Sequence, residues 1–248
     1  MVNIDTVYQK VLTLANKEQR GYITPQEFNL MADKAQMEIF ENYFYDMKMA
    51  YLKPKNDSGY SDELEILSEK LQMFKSTSSQ TSIISGDGAT ATNTINLNIL
   101  TVPIYRLDSI TYNYTDSNSL AKKSVLTELT RKENDHAEAN PLTKATKSRP
   151  TFVRTGSNRI RIYPMPNATD SLDFHYYTKP TIPRWGYVIV NNKALYNLHS
   201  STNFQVHPSE EENLVTRILA LAGIIINNPA LAQIALQERA IAKQDQND

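Results

Sequence analysis

The chain has 248 residues with 26 Lys and Arg against 27 Asp and Glu, and this balance excludes a generally basic nucleic-acid-binding protein. The absence of cysteine excludes disulfide frameworks, thiolate zinc sites and cysteine nucleophiles. The chain has only seven glycines, which disfavours folds that bind a cofactor in a glycine-rich loop. It has 14 tyrosines, which suit half-buried surfaces that are apolar on one side and wet on the other. Neither a run of roughly 18 apolar residues nor a basic and then apolar leader occurs, so we expect no membrane span and synthesis in the cytoplasm.

Helical patterns fill the first third of the chain. Apolar residues at i, i+3 and i+4 predict a helix over residues 3–18. Thr24 and Glu27 form a predicted capping box, and the helix that they begin should run to Tyr51 with apolar side chains on more than one face. A third helix is predicted after the acidic cap at 61–63.

The middle of the chain, from Ser76, has the alternating and β-branched runs typical of strands. One exception is 125–137, which we predict to be a short helix. A hairpin is expected around 156–158, between two of the strands. The predicted strands are 82–85, 94–97, 106–115, 150–154, 159–163 and 171–178.

The last part of the chain is again helical. Ser209 and Glu212 predict a second capping box, and residues 214–226 are so uniformly apolar that this helix must be enclosed on all sides. A break at 227–229 precedes a final helix to Lys243. We therefore predict an α+β fold in which N- and C-terminal helices form a helical bundle with an inserted antiparallel β domain. The predicted division is 1–76, 77–204 and 205–248.

Sequence motifs with an attached reaction mechanism are absent: no His-Glu-x-x-His, P-loop or Gly-x-Ser-x-Gly occurs. His175 could be a base oriented by Asp173, although i, i+2 spacing also describes any sheet surface. The acidic run 210–212 could bind a cation, but capping explains it better, because consecutive helical residues point in different directions. We predict that the chain has no catalytic residues, no metal ligands and no cofactor, and that it is not an enzyme.

Two sets of residues are candidates for contacts. Arg154, Arg159 and Arg161 could meet a phosphate backbone or an acidic partner, with a solvated strand face as the commoner explanation. The sequence has an excess of apolar helix surface and many tyrosines, which favours an assembly subunit. The interface candidates are Phe28, Phe40, Phe44, Leu214, Ile218, Leu221 and Ile225.

The runs VYQKVL (7–12) and LANKEQRGYITPQEFN (14–29) resemble virion structural proteins of crAss-like and related podovirus-type tailed bacteriophages. These virion proteins are ring or head-to-tail connector proteins. Further segments are similar to that family in the same order along the chain. They are LTELTR (126–131), NPLT (140–143), IRIYPMP (160–166), YYTKP (176–180) and FQVHPSEEE (204–212).

This resemblance implies a subunit of a twelvefold ring beneath the portal, around the channel that DNA passes through. The implied partners are other copies of the chain, the portal protein, other connector or tail proteins and, without specific contacts, double-stranded DNA. The implied location is the neck or tail of the virion, and the host cytoplasm during assembly. The resemblance implies no catalytic residues in this chain.

Two other functions remain open. A receptor- or glycan-binding virion component would need an aromatic platform, and a wall-degrading hydrolase would need two carboxylates facing across a cleft, a pair that the sequence does not identify. The candidate platform residues are Tyr112, Tyr114, Tyr176, Tyr177, Tyr187 and Trp185.

Overall fold

A computed structural model describes most of the chain, in which five α-helices and ten strands are found. The described residues are 1–17, 23–52, 59–80, 94–100, 102–116, 119–167, 170–191, 193–225 and Gln237. Within them the chain is of mixed α and β class with largely antiparallel sheets, as predicted.

The chain divides into two compact units. Unit 1 comprises residues 1–73 and 180–248, and unit 2 comprises residues 74–179. Residues 180–204, which the sequence-based division assigned to the β insertion, lie in unit 1.

Unit 1 contains the long helices. They are α1 (Ile4–Lys17), α2 (Pro25–Leu52), α3 (Gly59–Gln72) and α5 (Glu211–Ile225). Helix α2 packs against α3 and α5, and α1 packs against α5. The predicted capping box begins α2: the Thr24 amide donates to Glu27 Oε2 at 2.9 Å, and the Glu27 amide donates to Thr24 Oγ1 at 3.3 Å.

Helix α5 begins differently from the prediction. A short 3₁₀ turn at Pro208–Glu210 precedes it, and the Ser209 amide donates to His207 Nδ1 at 3.3 Å. Glu212, the predicted partner of Ser209, instead pairs with Lys10 of α1. This carboxylate therefore forms a surface ion pair between α5 and α1, and His207 supplies the cap.

Unit 2 is built from two four-stranded sheets. The first has the order β1-β8-β3-β4, and the second has the order β2-β7-β6-β5. Its strands are β1 (Lys75–Gln80), β2 (Thr94–Asn96), β3 (Ile104–Thr115), β4 (Ala121–Val125), β5 (Thr127–Glu128), β6 (Thr151–Gly156), β7 (Arg159–Tyr163) and β8 (Ser171–Thr178).

One hydrophobic cluster joins the two sheets of unit 2. Ile110, Leu172 and Phe174 come from the first sheet, and Ile160 and Ile162 come from the second. Each is fully buried, because alternation along the strand puts every second side chain on the inner face. The predicted hairpin around 156–158 is confirmed by the antiparallel pairing of β6 with β7.

The prediction of a helix at 125–137 is wrong in its first half. Val125 ends β4, residues 127–128 form β5, and the helix itself is α4 (Arg131–Ala139). Thr130 and Glu133 form a full capping box at its start, a signal present in the sequence. The predicted strand 82–85, the break at 227–229 and, apart from Gln237, the final helix lie outside the described residues.

Replacing Leu172 with alanine should lower the free energy of unfolding by about 2–5 kcal/mol, because it leaves a cavity in the shared core of unit 2. The matched control is Leu142→Ala, in the same unit, whose side chain is 80% exposed and whose loss should change stability by less than about 0.5 kcal/mol. Urea denaturation of both variants measures the difference. Equal effects would contradict the assigned core.

Candidate assembly surfaces

The interface candidates from the sequence lie mostly in the interior of the chain. Phe28, Phe40, Leu214 and Ile218 are completely buried by other parts of the same chain. They are therefore core residues and are not available to a neighbouring subunit. Two others, Phe44 and Leu221, are half-buried, and the side chain of Ile225 lies outside the described residues.

A β-hairpin in unit 1 carries a different apolar surface. Its strands are β9 (Tyr187–Val190) and β10 (Lys193–Tyr196), connected by the two residues 191–192. Asn191 has a φ of 49°, a conformation that asparagine tolerates and that two-residue hairpin turns require. The sequence analysis missed this element, although Asn-Asn between two β-prone runs is the signal that could have found it.

The hairpin is anchored at its root by Trp185, which is buried. The indole Nε1 donates to Asp5 Oδ1 of α1 at 2.9 Å, and the ring lies 4.3 Å from that of Tyr8 between centroids. The indole also contacts the rings of the first and last residues of the hairpin, Tyr187 and Tyr196, each at 5.8 Å between centroids. The root is thus fixed to the helical part of unit 1.

Gly186 allows the backbone at the base of the hairpin to lie close to Ser200. Its amide donates to Ser201 Oγ at 2.9 Å, and its carbonyl accepts from the Asn197 amide at 2.8 Å. A Cβ atom at this position would overlap the side chain and backbone of Ser200. Glycine is therefore required at this position because there is no room for a side chain.

The tip of the hairpin is apolar on both faces and exposed. Val188 pairs with Leu195 on one face, and Ile189 pairs with Ala194 on the other. The exposed fractions of Val188, Ile189 and Leu195 are 49%, 68% and 52%. In the part of the chain that the structure describes, this two-stranded sheet joins no further strand, and isolated hairpins of this size are marginally stable in water. We call Val188, Ile189, Val190, Leu195 and Leu198 the hairpin patch.

A second exposed apolar surface lies on the C-terminal half of α2. Tyr45, Met49 and Leu52 follow one another at i, i+4 and i+7, so they share one helix face. Their exposed fractions are 55%, 43% and 70%. We call these three residues the α2 stripe. Both surfaces belong to unit 1, and both leave large apolar side chains in contact with water.

The three candidate arginines do not form one cluster. Cross-strand pairing places Arg154 opposite Ile160, and so on the other face of the sheet from Arg161. Arg154 Nε binds Glu128 Oε1 at 2.7 Å, and Arg161 Nε donates to Thr94 Oγ1 at 3.4 Å. The structure therefore puts Arg154 on a different face from Arg161, whereas Arg159 and Arg161, two residues apart on β7, share a face.

The candidate sugar platform is largely buried. Tyr112, Tyr176 and Tyr177 of unit 2 and Trp185 of unit 1 have almost no exposed surface. Their ring faces are covered by neighbouring side chains, so they cannot stack on a sugar. This burial argues against the glycan-binding hypothesis.

His175 and Asp173 each interact with other strands. His175 Nδ1 lies 3.1 Å from Thr77 Oγ1, and Asp173 accepts hydrogen bonds from Ser79 Oγ at 2.6 Å and from Asn113 Nδ2 at 2.7 Å. The hydrogen bonds from Ser79 and Asn113 hold the pKa of the Asp173 carboxyl below its usual range. These are cross-strand contacts of the β1-β8-β3 sheet.

Glu210 belongs to a cluster of buried charges in unit 1. Its carboxylate binds Lys70 Nζ of α3 at 2.8 Å and accepts from Asn213 Nδ2 at 2.7 Å. Arg217 of α5, also buried, binds Glu38 Oε2 of α2 at 3.3 Å. The cluster borders a cavity of about 70 Å³ and connects the three helices around it.

The cluster keeps Glu210 ionised. Burial works against the charge, but the hydrogen bonds from Lys70 and Asn213 outweigh it, and the pKa of the carboxyl lies below its usual range. The phenol of Tyr43 in the same cavity has its pKa raised by burial and by the negative charge of Glu210. Across the described residues, no group of three or more His, Asp or Glu side chains is placed to hold a metal ion.

No protein-family model matches the chain, and no curated protein matches it at a significant level. Among the described helices, none combines the length and the apolar character needed to cross a bilayer.

Replacing Gly186 with alanine should destabilise the chain by about 1–3 kcal/mol, because the added methyl group forces the hairpin base away from Ser200. Gly156→Ala is the matched control, since nothing lies within 4 Å of the added atom. Thermal unfolding measures stability, and limited proteolysis detects a loosened hairpin. An unchanged melting temperature for Gly186→Ala would contradict the packing described at this base.

Replacing Glu210 with glutamine should lower stability at pH 7 by about 3 kcal/mol, because it leaves Lys70 buried without its partner. The ionised carboxylate stabilises wild type fully above its unfolded pKa of about 4.3, and this contribution is lost as the pH falls through the lower folded pKa. The difference between variant and wild type should therefore shrink in acid.

Denaturant midpoints between pH 7 and pH 3 measure this difference. Glu211→Gln is the control, because its pairing with Lys10 lies at the surface and should contribute less than about 1 kcal/mol. A difference between Glu210→Gln and wild type that stays constant over this pH range would show that Glu210 is not ionised in the folded chain.

Proposed function

We propose that the chain is a non-enzymatic structural subunit of a tailed-phage particle, which forms a ring in the head-to-tail connector beneath the portal and around the DNA channel. The observation that carries this proposal is the presence of exposed large apolar side chains in two separate places on one unit, the hairpin patch and the α2 stripe. A subunit that meets a neighbour on each side needs two such surfaces.

In this proposal the helices from both ends of the chain form a bundle, and unit 2 is the inserted β domain of the connector. Support comes from the packing of α5, near the C-terminus, against α1 and α2. The resemblance of residues 7–29 to phage ring proteins is the second support, and it supplies the twelvefold symmetry that we propose.

The charge of the chain is compatible with a place beside moving DNA. Many strong Lys and Arg contacts to phosphates would retard the passage of DNA, and the near balance of 26 basic and 27 acidic residues avoids this. Arg154, one of the three candidate arginines, is already paired with Glu128.

Co-expression with the portal protein of the same phage tests the proposal. Negative-stain microscopy should show rings of this chain stacked coaxially on the portal, because each subunit would bury its apolar surfaces against its neighbours. Mass photometry of the complex measures the number of copies. Portal rings that bind no copies of the chain, together with a chain absent from purified virions, would contradict the proposal.

A further inference from the structure

We propose that the cavity in unit 1 is an internal water-binding site. The bound water accepts hydrogen bonds from Asn42 Nδ2 and Tyr43 Oη of α2, and it donates to the carboxylate of Glu210. The site goes beyond the proposed connector function and does not depend on it, because it lies inside a single chain.

Two buried polar atoms beside this cavity have no hydrogen-bond partner in the part of the chain that the structure describes. They are Asn42 Nδ2 and Tyr43 Oη. Tyr43 is only 3% exposed, so its hydroxyl does not reach the surface of the chain. A buried donor without a partner costs more free energy than a typical hydrogen bond contributes. Because both residues line the cavity, a ligand in the cavity can supply the partner.

The phenol end of Tyr43 faces the charged side chains of the cavity. Lys70 Nζ lies 5.8 Å from the centre of the Tyr43 ring, which keeps the ring beside the Lys70–Glu210 pair. Burial and the nearby negative charge of Glu210 raise the pKa of the phenol. The phenol nevertheless forms no hydrogen bond of normal geometry with this carboxylate. Two polar groups that are near each other but not bonded are the arrangement that a bridging water completes.

Glu210 has the capacity to accept further hydrogen bonds. Its Oε1 binds Lys70 Nζ, and its Oε2 accepts from Asn213 Nδ2. An ionised carboxylate has about four lone-pair sites, so these two bonds leave room for others. Water in the cavity therefore meets two donors and one acceptor. Buried waters usually have two to four polar partners of this kind.

The size and the lining of the cavity also fit water. Its volume of about 70 Å³ has room for about two molecules, since liquid water occupies about 30 Å³ per molecule. Cavities that stay dry are lined by apolar side chains. Of the nine residues that line this one, only Ile39 and Leu67 are aliphatic.

The charges around the cavity favour a neutral ligand over an ion. Asp46 and Glu210 are acidic, and Lys70 and Arg217 are basic, so the formal charges of the lining cancel. A cation would lie near the two basic groups and an anion near the two carboxylates, and neither would gain enough attraction to offset its loss of hydration. Water is neutral, and its oxygen accepts from the two unpaired donors.

A crystal structure of the isolated chain, at a resolution that shows ordered water, tests the site directly. We expect electron density for water at about 2.7–3.2 Å from both Asn42 Nδ2 and Tyr43 Oη. A cavity without such density would overturn the proposal. A direct hydrogen bond from Tyr43 Oη to a protein oxygen would overturn it as well, because the hydroxyl would then need no water.

Xenon distinguishes a wet cavity from a dry one. Crystals of the wild-type chain under xenon pressure should show no xenon at this site, because xenon enters dry apolar cavities. Leu172→Ala is the positive control, since it opens a cavity among apolar side chains in the core of unit 2. Xenon bound beside Tyr43 in the wild-type chain would overturn the proposal.

Replacing Tyr43 with phenylalanine gives an independent measurement in solution. When water satisfies the hydroxyl, the variant loses hydrogen bonds and its urea midpoint should fall below that of wild type. In a dry cavity the same variant would remove an unpaired buried group, and the midpoint would rise. Tyr51→Phe, on the same helix but 60% exposed, is the control and should leave the midpoint unchanged. A midpoint for Tyr43→Phe at or above the wild-type value would overturn the proposal.

Discussion

The structure of unit 1 depends on covering one long helix. Helix α2 has 28 residues, about 42 Å, and its apolar side chains point in more than one direction, so a single neighbour cannot remove them all from water. α3 and α5 pack on it, and the segment around Trp185 binds its first turns. Beyond Tyr43, the only fully buried residue of α2 is Ala50. Tyr45, Met49 and Leu52 lie in this less buried half of α2 and are exposed.

Each unit contains a buried carboxylate that is held by several hydrogen bonds and by a lysine. In unit 2, Asp170 is buried and accepts hydrogen bonds from Tyr112 Oη at 2.5 Å, Lys147 Nζ at 2.9 Å and the Asn167 amide at 2.9 Å. Burial works against its charge, but these bonds outweigh it and the pKa of the carboxyl is lowered. Glu210 has the same arrangement in unit 1, with Lys70 as its cation. A carboxylate with these partners holds secondary structure elements together, because giving up its charge would leave the lysine unpaired.

Local signals in the sequence predicted most of the elements, and long-range packing decided the rest. The Thr24–Glu27 box and the alternation of β7 depend on neighbouring residues only, and both were predicted. The strand β1 is polar throughout, and it is recognisable only through its pairing with β8. Burial of Phe28 and Ile218 could not be distinguished from exposure at an interface, because an apolar helix face looks the same whether the same chain or a neighbour covers it. The positive φ of Asn191 and the lack of space for a side chain at Gly186 are both explained by the hairpin of β9 and β10.

The net charge of the chain is near zero because its two units carry net charges of opposite sign. Unit 2 carries thirteen Lys and Arg against nine Asp and Glu, whereas unit 1 carries thirteen against eighteen. In the ring that we propose, charges of this kind would steer copies towards one another, but they are screened within about 8 Å at physiological salt. The hairpin patch and the α2 stripe contain no charged residue, so the free energy gained by covering either surface depends little on salt. In the ring that we propose around DNA, apolar contacts would therefore hold copies together less dependently on salt concentration than ion pairs would.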